Sequence, residues 1–354
     1  MSGLAVPGTN SAEPVKRVAA LTALPVDAAA LLDAAGGFFA SRVWWDIVTH
    51  HALPASATPY FAVVNAGGAT AVFPMLRDAA DGEERALTTP YTCLYEPFIG
   101  AGGRHALFTA FARSRRASAI TRLDALDEAT AAELAAAGRD AGLAVTLFAH
   151  FGNWHEAVGG LDWPAYLATR PGALRETIRR RARRVERQPN AVFRLFHDTT
   201  DLETGIAAFE AIYARSWKQP EPFPGFNPAQ IRAAASLGIM RLGVWWIDGS
   251  PAAAQFWIVE HGQATVLKLA HDEAFKTLSL GTILTARMIR HMLEHEHISE
   301  IDFGRGDDPY KRDWAGSRRP RMGLLLINPR HPRGLLALAR HAAGRIWARL
   351  RNPV

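Results

Sequence analysis

The chain has 354 residues, too many for one ordinary hydrophobic core, so its length predicts two domains or two halves. Hydrophobic residues make up 49% of it and charged residues 21%, which excludes a disordered chain, and its one cysteine excludes an internal disulfide and a cluster of thiolate metal ligands. The net charge of +6 favours anionic partners, because the excess is arginine, which binds phosphate bidentately.

The first part of the chain predicts a loose leader and then a half-domain that mixes helices and strands. Residues 1–20 contain no continuous apolar block, so we expect no secretion signal there. Residues 21–160 form the half-domain. Its predicted helices lie at 28–35, 44–51 and 130–141, and its predicted strands at 59–65, 70–76 and 143–148. The first two strands flank a Gly-rich turn that is typical of a hairpin.

The most basic stretch of the chain lies in a connecting region at residues 161–190. Seven arginines occur from Arg175 to Arg187. Apolar residues recur among them at helical spacing: Leu174, Ile178, Ala182 and Val185. This spacing predicts an amphipathic helix whose narrow apolar seam packs on the protein. Its charged face has two interpretations, a solvated surface or a surface for phosphates or an acidic partner.

A second domain is predicted for residues 191–328. It begins with a strand at 193–197, a helix at 202–217, a proline-rich connection and a helix at 231–237. Three strands follow at 241–247, 252–259 and 264–270, and their short Gly-containing turns predict an antiparallel meander. A helix at 281–295 and a strand at 298–303 complete the domain. Residues 329–354 predict a basic helix that docks on the body.

Two further patterns concern metals and membranes. His291 and His295 belong to an H-x-x-E-H sequence, but this segment lies on a core-facing helix and no third ligand can be placed, so we predict no metal. No apolar run is long enough to span a bilayer. We therefore expect a cytoplasmic protein without a transmembrane segment.

The densest group of reactive side chains lies at residues 301–314, with the sequence IDFGRGDDPYKRDW. A short apolar strand runs into a loop with glycines, carboxylates, a tyrosine and a lysine. Such loops often carry function because the scaffold fixes their ends. Glycine, aspartate and proline also form ordinary turns, so the segment alone permits both interpretations.

A second signal lies just before the long helix, at residues 276–282, with the sequence KTLSLGT. A turn of small residues that opens a helix leaves free N–H groups at the positive end of the helix dipole. This arrangement suits a pyrophosphate, and Lys276 adds a positive charge. The segment therefore predicts an anion-binding site.

The order of meander, helix, strand and reactive loop resembles the GNAT superfamily of N-acetyltransferases. In that superfamily the turn before the helix carries Q/R-x-x-G-x-G/A, and this chain keeps the spacing with Lys276, Ser279 and Gly281. The chain is most similar to the CelD/BcsL-like branch, which is related to the FemAB aminoacyltransferases. Four further segments carry this resemblance: residues 166–175, 213–218, 249–255 and 267–272.

The resemblance covers about residues 24–326 and implies an α/β (α+β) fold of two tandem GNAT-like halves, each a mixed, largely antiparallel sheet flanked by helices. It also implies an acyl-CoA-dependent N-acyltransferase that transfers an acyl group directly to an amine, and it suggests a role in cell-envelope or exopolysaccharide biosynthesis. The donor would be acetyl-CoA or another acyl-CoA, and the acceptor a small molecule or a sugar amine.

Three alternatives remain open at this point. One is FemAB-like transfer from aminoacyl-tRNA, although no long helical-hairpin insertion for tRNA stands out, so we expect no nucleic-acid partner. Another is a non-catalytic GNAT-like binding module. The third is an acyl carrier protein as donor, bound through the basic helix from Arg175 to Arg187.

The resemblance and the chemistry of transfer together indicate site residues. Direct transfer needs a base, donors for an oxyanion and an acid for the leaving thiolate. The catalytic candidates are Tyr310 as general acid, Lys311 for negative charge, and Asp302, Asp307 and Asp308 as bases. The cofactor-binding candidates are Lys268, Lys276, Ser279, Leu280, Gly281 and Thr282. The substrate-binding candidates are Trp217, Lys218, Gln255, His271, Asp272 and Trp314.

Overall fold

The computed structural model describes residues 15–34, 36–188 and 190–340. Residues 1–14 of the predicted leader and residues 341–354 of the predicted terminal helix lie outside the described residues. The described part of the leader is not all loose, because Lys16–Val18 forms an edge strand. The described part of the terminal segment is helical at residues 332–340.

The first half of the chain contains seven strands and four α-helices within the described ranges. The strands are β1 (Lys16–Val18), β2 (Ala57–Ala66), β3 (Ala69–Asp78), β4 (Glu84–Ala86), β5 (Phe98–Ile99), β6 (Ile120–Leu126) and β7 (Ala144–Ala157). The helices are α1 (Val26–Asp33), α2 (Arg42–His51), α3 (Arg104–Ser114) and α4 (Glu128–Asp140). Three short 3-10 turns lie at Leu21–Ala23, Phe38–Ala40 and Arg115–Ala117.

The second half follows after two helices, α5 (Trp163–Ala168) and α6 (Gly172–Glu186). Its strands are β8 (Ala191–Phe196), β9 (Met240–Ile247), β10 (Ser250–Glu260), β11 (Gln263–His271), β12 (Glu300–Asp302) and β13 (Ser317–Ile327). Its helices are α7 (Leu202–Ala214), α8 (Phe226–Ser236), α9 (Leu280–His291) and α10 (Lys311–Trp314). A 3-10 helix precedes α9 at Glu273–Leu278, and a π-helical turn extends it at Met292–Glu296.

The strands pair into one continuous sheet in the order β1-β2-β3-β4-β6-β13-β7-β12-β11-β10-β9-β8, with β5 paired to β3. Two neighbouring pairs are parallel, β4 with β6 and β11 with β12, and the other pairs are antiparallel. The predicted mixed, largely antiparallel architecture of two halves is therefore confirmed. The meander of β9, β10 and β11 also forms where the turns predicted it.

The last strand along the chain, β13, joins the two halves of the sheet. β13 lies between β6 and β7, so a segment that the sequence analysis placed in the second domain, without predicting a strand there, completes the sheet of the first half. β7 then reaches β12 of the second half, with Glu156 opposite Ile301. The domain boundary drawn at residue 328 does not describe this exchange. Local sequence patterns locate a strand but carry no information about its distant pairing partner.

Helices cover both faces of the second half of the sheet. Side chains alternate between faces along a strand, so Val244 packs with Phe209 of α7, while Trp245 packs on the side of α9 with Met288. The apolar seam of α6 is buried as predicted, through Leu174, Ile178 and Val185. This packing fixes α9 at the end of β11, where the candidate site lies.

No helix among the described residues is both long enough and apolar enough to cross a bilayer. In the same part of the chain, no three His, Cys, Asp or Glu side chains lie close enough together to hold a metal ion.

Candidate functional site

The parallel strands β11 and β12 separate soon after they pair. Gln263–Thr265 of β11 pairs with Glu300–Asp302 of β12. β11 then continues to His271, whereas the segment that follows β12 turns away from it. Gly304 permits this turn. It has a φ of +63°, and a Cβ at that position would lie 2.5 Å from the carbonyl oxygen of Val266. The separation of β11 from the segment after β12 leaves an opening in the sheet.

A cavity of about 600 Å³ occupies this opening. One wall is formed by residues 266–269 of β11, and the opposite wall by the predicted reactive loop. Other lining residues come from the segment after α7 and from the first half of the chain: Trp217, Lys218, Pro90, Tyr91 and Cys93. Both halves of the chain therefore contribute to one site.

The start of α9 lies beside the cavity. Ile283 N donates to Ser279 O at 3.2 Å, and the N–H groups of the three residues before it have no intrahelical acceptor, as at any helix start. Ser279 supplies no side-chain cap and has a φ of +55°, in the left-handed region that favours glycine. A Cβ at Gly281 would lie 3.8 Å from Leu269, which lines the cavity. Leu269 therefore lies between the helix start and the cavity, and none of residues 276–282 lines the cavity.

The basic helix α6 packs beside the same turn. Arg181 Nη1 donates to the carbonyl oxygen of Thr277 at 2.7 Å. Lys276 is exposed at the turn, where its Nζ lies 3.3 Å from a carboxylate oxygen of Glu273. Arg181 therefore places positive charge beside the helix start, where an anion would bind, and Lys276 adds a charge that it shares with Glu273.

The ion pair between Lys268 and Glu221 lies at the side of the cavity next to α7, and Tyr91, Asn227 and Tyr213 also donate hydrogen bonds to Glu221. Glu221 accepts from Lys268 Nζ at 2.5 Å, from Tyr91 OH at 2.7 Å and from Asn227 Nδ2 at 3.1 Å. Desolvation alone would raise the pKa of Glu221, but the hydrogen bonds from Lys268 and Tyr213 outweigh it and lower the pKa to about 2. Glu221 is therefore ionised at neutral pH and neutralises Lys268.

One family model matches part of the chain. Residues 172–312 match the family described as an acetyltransferase (GNAT) domain. The match spans 141 of the 354 residues. No curated protein matches the sequence.

Solved structures share the fold of the whole chain at low sequence identity. FemX is similar with a TM-score of 0.55 and 10% identity, over 84% of this chain and 95% of FemX. A tandem GNAT protein from the clavulanic acid biosynthesis pathway has a TM-score of 0.51 and 11% identity, over 88% of this chain and 98% of that chain. L-PGS from Bacillus licheniformis has a TM-score of 0.51 and 11% identity, over 79% and 88%. The fold is thus that of tandem GNAT proteins, while the CelD/BcsL-like resemblance remains a prediction.

The structure brings six of the predicted site residues to the cavity wall: Trp217, Lys218, Lys268, Asp308, Tyr310 and Lys311. Tyr310 is 37% exposed, so part of its ring is a solvent-facing wall of the cavity. Burial of the hydroxyl and the charge of Asp308 raise the pKa of Tyr310 above its usual range. The phenol remains protonated at neutral pH and can donate a hydrogen bond to a developing anion.

Lys311 stabilises the loop from inside. It is 3% exposed, and its Nζ donates to Arg305 O at 2.7 Å and to Gly306 O at 3.1 Å. Asp308 Oδ2 lies 3.2 Å from the same Nζ. Three protein oxygens match the three hydrogens of the ammonium group. The predicted role of Lys311 toward negative charge on a ligand is not supported by this geometry.

The three predicted base candidates occupy different environments. Asp308 lines the cavity and has a side chain that is 60% exposed. Asp307 accepts two hydrogen bonds from Arg318, at 2.7 and 2.6 Å, and this interaction lowers the pKa of Asp307. It is not among the lining residues. Of these two aspartates, Asp308 is the one that can contact a ligand in the cavity.

Both oxygens of the Asp302 carboxylate accept hydrogen bonds from the protein. It is 5% exposed, and its Oδ1 accepts from Asn153 Nδ2 and from Gly304 N, both at 2.6 Å. Its Oδ2 accepts from Arg319 Nη2 at 2.6 Å. These bonds fix the point where the chain leaves β12 and connect it to β7 and β13. The prediction of Asp302 as a base therefore conflicts with its full set of protein partners.

Four predicted substrate residues lie outside the cavity lining. Gln255 is fully buried between Thr285 and Trp257, which bond to its side chain. Asp272 caps the following 3-10 helix and pairs with Arg215 at 2.5 Å. Trp314 is 3% exposed in the core. The ring of His271 contacts the ring of Trp217, with 4.3 Å between the two centroids. Burial lowers the pKa of His271.

Sequence reasoning missed Glu221 and Tyr91. The one available signal for Glu221 was an acidic residue between two prolines, Pro220 and Pro222, in a stiff connection. Tyr91 carried no signal, because its contact with Glu221 joins residues 130 positions apart.

Proposed function

We propose that the protein is an acyl-CoA-dependent N-acyltransferase that transfers an acyl group directly to an amine. One observation carries this proposal: the free N–H groups that start α9 lie next to Leu269, which forms part of the wall of the cavity between the separating strands β11 and β12. A pyrophosphate at the helix start would leave the rest of the donor next to that cavity. The match of residues 172–312 to a GNAT acetyltransferase domain supports the same donor.

The residues at the helix start fit a phosphate-bearing donor. The N–H groups of Leu280, Gly281 and Thr282 would bind the anion, and Lys276 would add charge. Gly281 carries no side chain beside these N–H groups, and a Cβ there would be in ordinary contact with the ring of His271, at 3.4 Å. This set comprises the predicted cofactor residues except Lys268, which Glu221 already neutralises, and Ser279, whose backbone supplies the turn.

The cavity residues suit the reacting end. Attack of a neutral amine on the thioester forms the C–N bond and breaks the C–S bond, and the leaving thiolate needs stabilisation. The protonated Tyr310 hydroxyl can donate to this sulfur, and Asp308 can accept a proton from the amine directly or through water. Trp217 is 50% exposed, and with Tyr310 it offers flat faces that suit the sugar amine expected of an envelope or exopolysaccharide enzyme.

Gly281→Glu is expected to abolish binding of CoA. A carboxylate in the first turn would repel the pyrophosphate and fill the space that it needs, while the helix itself tolerates an acidic residue there. Calorimetric titration with CoA and acetyl-CoA measures the effect, with at least about a hundredfold loss of affinity expected. Gly281→Ala is the matched control, because it adds one methyl group without charge. Wild-type-like CoA affinity in Gly281→Glu would exclude this donor site.

Tyr310→Phe is expected to lower kcat about a hundredfold, the usual contribution of a general acid, with little change in acetyl-CoA affinity. Tyr91→Phe is the matched control, since the Tyr91 hydroxyl lines the same cavity but is bonded to Glu221 at 2.7 Å. Release of free thiol from acetyl-CoA gives the rate. Equal losses in the two variants would remove Tyr310 from the mechanism.

An acyl carrier protein is the alternative donor that α6 favours. Six arginines from Arg175 to Arg187 are exposed, namely Arg175, Arg179, Arg180, Arg183, Arg184 and Arg187, and Arg181 connects this helix to the turn before α9. An acidic carrier protein would meet positive charge beside the donor site. A tighter interaction with acyl carrier protein than with acyl-CoA, lost in Arg180→Glu and Arg183→Glu, would support this donor.

Transfer from aminoacyl-tRNA is the second candidate function, favoured by the same exposed arginines and by the fold shared with FemX. Titration with RNA separates it from the first. Steeply salt-dependent RNA binding without CoA affinity would support the tRNA donor. CoA binding without thiol release for any amine would instead support a non-catalytic module.

A further inference from the structure

The cavity between β11 and the reactive loop contains more cations than anions. Four of its lining residues are basic, namely Lys218, Lys268, Arg305 and Lys311, and one, Asp308, is acidic. Lys268 pairs with Glu221 just outside the lining, and Lys311 pairs with Asp308 and two carbonyl groups. Lys218 and Arg305 remain without a carboxylate partner among the described residues.

Arg305 is directed toward the first half of the chain. Its Nη1 donates to Thr92 O at 3.3 Å, and its Nη2 lies 3.4 Å from His150 Nε2. Its guanidinium carbon lies 4.3 Å from the centroid of the Phe151 ring. These contacts hold Arg305 in place without a ligand, so Lys218 is the cation of this cavity that lacks a hydrogen-bond acceptor.

Lys218 is held by aromatic faces alone. Its Nζ lies 5.6 Å from the centroid of the Trp217 ring and 5.8 Å from that of Tyr213, at distances typical of cation–π contacts. No ion pair or side-chain hydrogen bond of Lys218 occurs among the described residues. Burial, and then the charge of Lys268, lower the pKa of Lys218, against the opposing effect of Asp308 and Glu221. Lys218 is half-buried and lines the cavity, so its ammonium group, which has no acceptor in the described part of the chain, is available to an anion there.

We propose that Lys218 binds an anionic group of the acceptor, so that the acceptor is an amine that also carries a phosphate or a carboxylate. This inference rests on the proposed acyltransferase function and specifies its substrate class. The anion would take the open side of the ammonium group. The carbon skeleton of the acceptor would pack on the exposed faces of Trp217 and Tyr310.

The same surplus of positive charge assists the reaction. A positive surrounding disfavours an ammonium group and lowers its pKa, so a bound acceptor amine loses its proton more readily. The neutral amine is the form that attacks the acyl carbon. The cavity therefore selects an anionic acceptor and also favours the neutral, nucleophilic form of its amine.

Two matched pairs of amines test the inference by calorimetry without a donor. Glucosamine 6-phosphate and glucosamine differ by the phosphate, and serine and serinamide differ by the carboxylate. In the wild-type protein the anionic member of at least one pair is expected to bind about tenfold tighter or more, as charge-assisted hydrogen bonds do. Lys218→Met should remove this preference, and Lys218→Arg should retain it.

The pH dependence adds a readout that a structural role of Lys218 would not change. Affinity for the anionic member should be full while Lys218 is protonated and fall as pH rises through its pKa, earlier than for an ordinary lysine. In Lys218→Arg the affinity should be constant over this range. No preference for either anionic member in the wild type, or a preference that survives in Lys218→Met, would overturn the inference.

The test is independent of the donor. Anion preference without CoA affinity would support the acceptor site and count against the proposed donor. CoA affinity without anion preference would do the reverse. If Lys218 were the base instead, Lys218→Met would lower kcat equally for both members of a pair, whereas an anion-binding Lys218 changes KM for the anionic member.

Discussion

Gly304→Ala is expected to lower the free energy of unfolding by about 2–4 kcal/mol. The left-handed φ of +63° disfavours any side chain, and the new Cβ would lie 2.5 Å from the carbonyl oxygen of Val266, which forces the backbone to move. Chemical denaturation measures the loss. Because Gly304 sets the separation of β11 from the following loop, we also expect weaker binding of CoA and acceptor.

Gly249→Ala is the control that isolates the steric term. Gly249 has a φ of +75° in the turn between β9 and β10, and nothing lies within 4 Å of its Cβ position. This substitution should cost about 1 kcal/mol, the backbone term alone. Equal losses for the two glycines would contradict the close approach of Gly304 to β11.

Lys311→Met is expected to lower the free energy of unfolding by about 3 kcal/mol, because two half-buried carbonyl groups lose hydrogen bonds to a charged donor. Methionine keeps the apolar stem, so the variant isolates the ammonium group. The loop should then lose its fixed shape, and Tyr310 and Asp308 their positions. Thermal or chemical unfolding gives the stability, and acyl transfer is expected to fall in parallel while CoA binding persists.

Asp308→Asn separates the buried from the exposed contact of Lys311. The Asp308 side chain is 60% exposed, so its ion pair with Lys311 contributes less than about 1 kcal/mol. A loss in Lys311→Met no larger than that in Asp308→Asn would mean that the carbonyl groups of Arg305 and Gly306 do not depend on the ammonium.

Patterns that are local in sequence predicted local structure correctly. The apolar seam of α6 is buried at Leu174, Ile178 and Val185, as predicted. The helical periodicity of the apolar residues identifies the face of the helix that packs on the protein. The turns at residues 248–249 and 261–262 predicted the meander, because two-residue turns of this kind permit few alternatives. The helix start at residues 279–281 was located by the same kind of reasoning.

Roles of polar side chains were predicted less well, because they depend on partners far away in the chain. Asp302 was a candidate base, but bonds to Asn153 and Arg319 occupy it. Lys268 was a candidate for the donor, but it pairs with Glu221, 47 residues earlier. Residue type and spacing identify what a side chain can do, whereas burial and neighbours determine whether it is free to do it.

The sequence by itself located the apolar face of α6, the meander, the start of α9 and the loop that borders the cavity, because hydrophobic period and turn chemistry act over a few residues. Its resemblance to a known superfamily predicted the class of fold. Only the tertiary structure decided that β13 crosses into the first half, that Lys311 stabilises the loop and that Lys218 lacks a partner. Those outcomes depend on strand pairing and desolvation between distant segments, which no local pattern records.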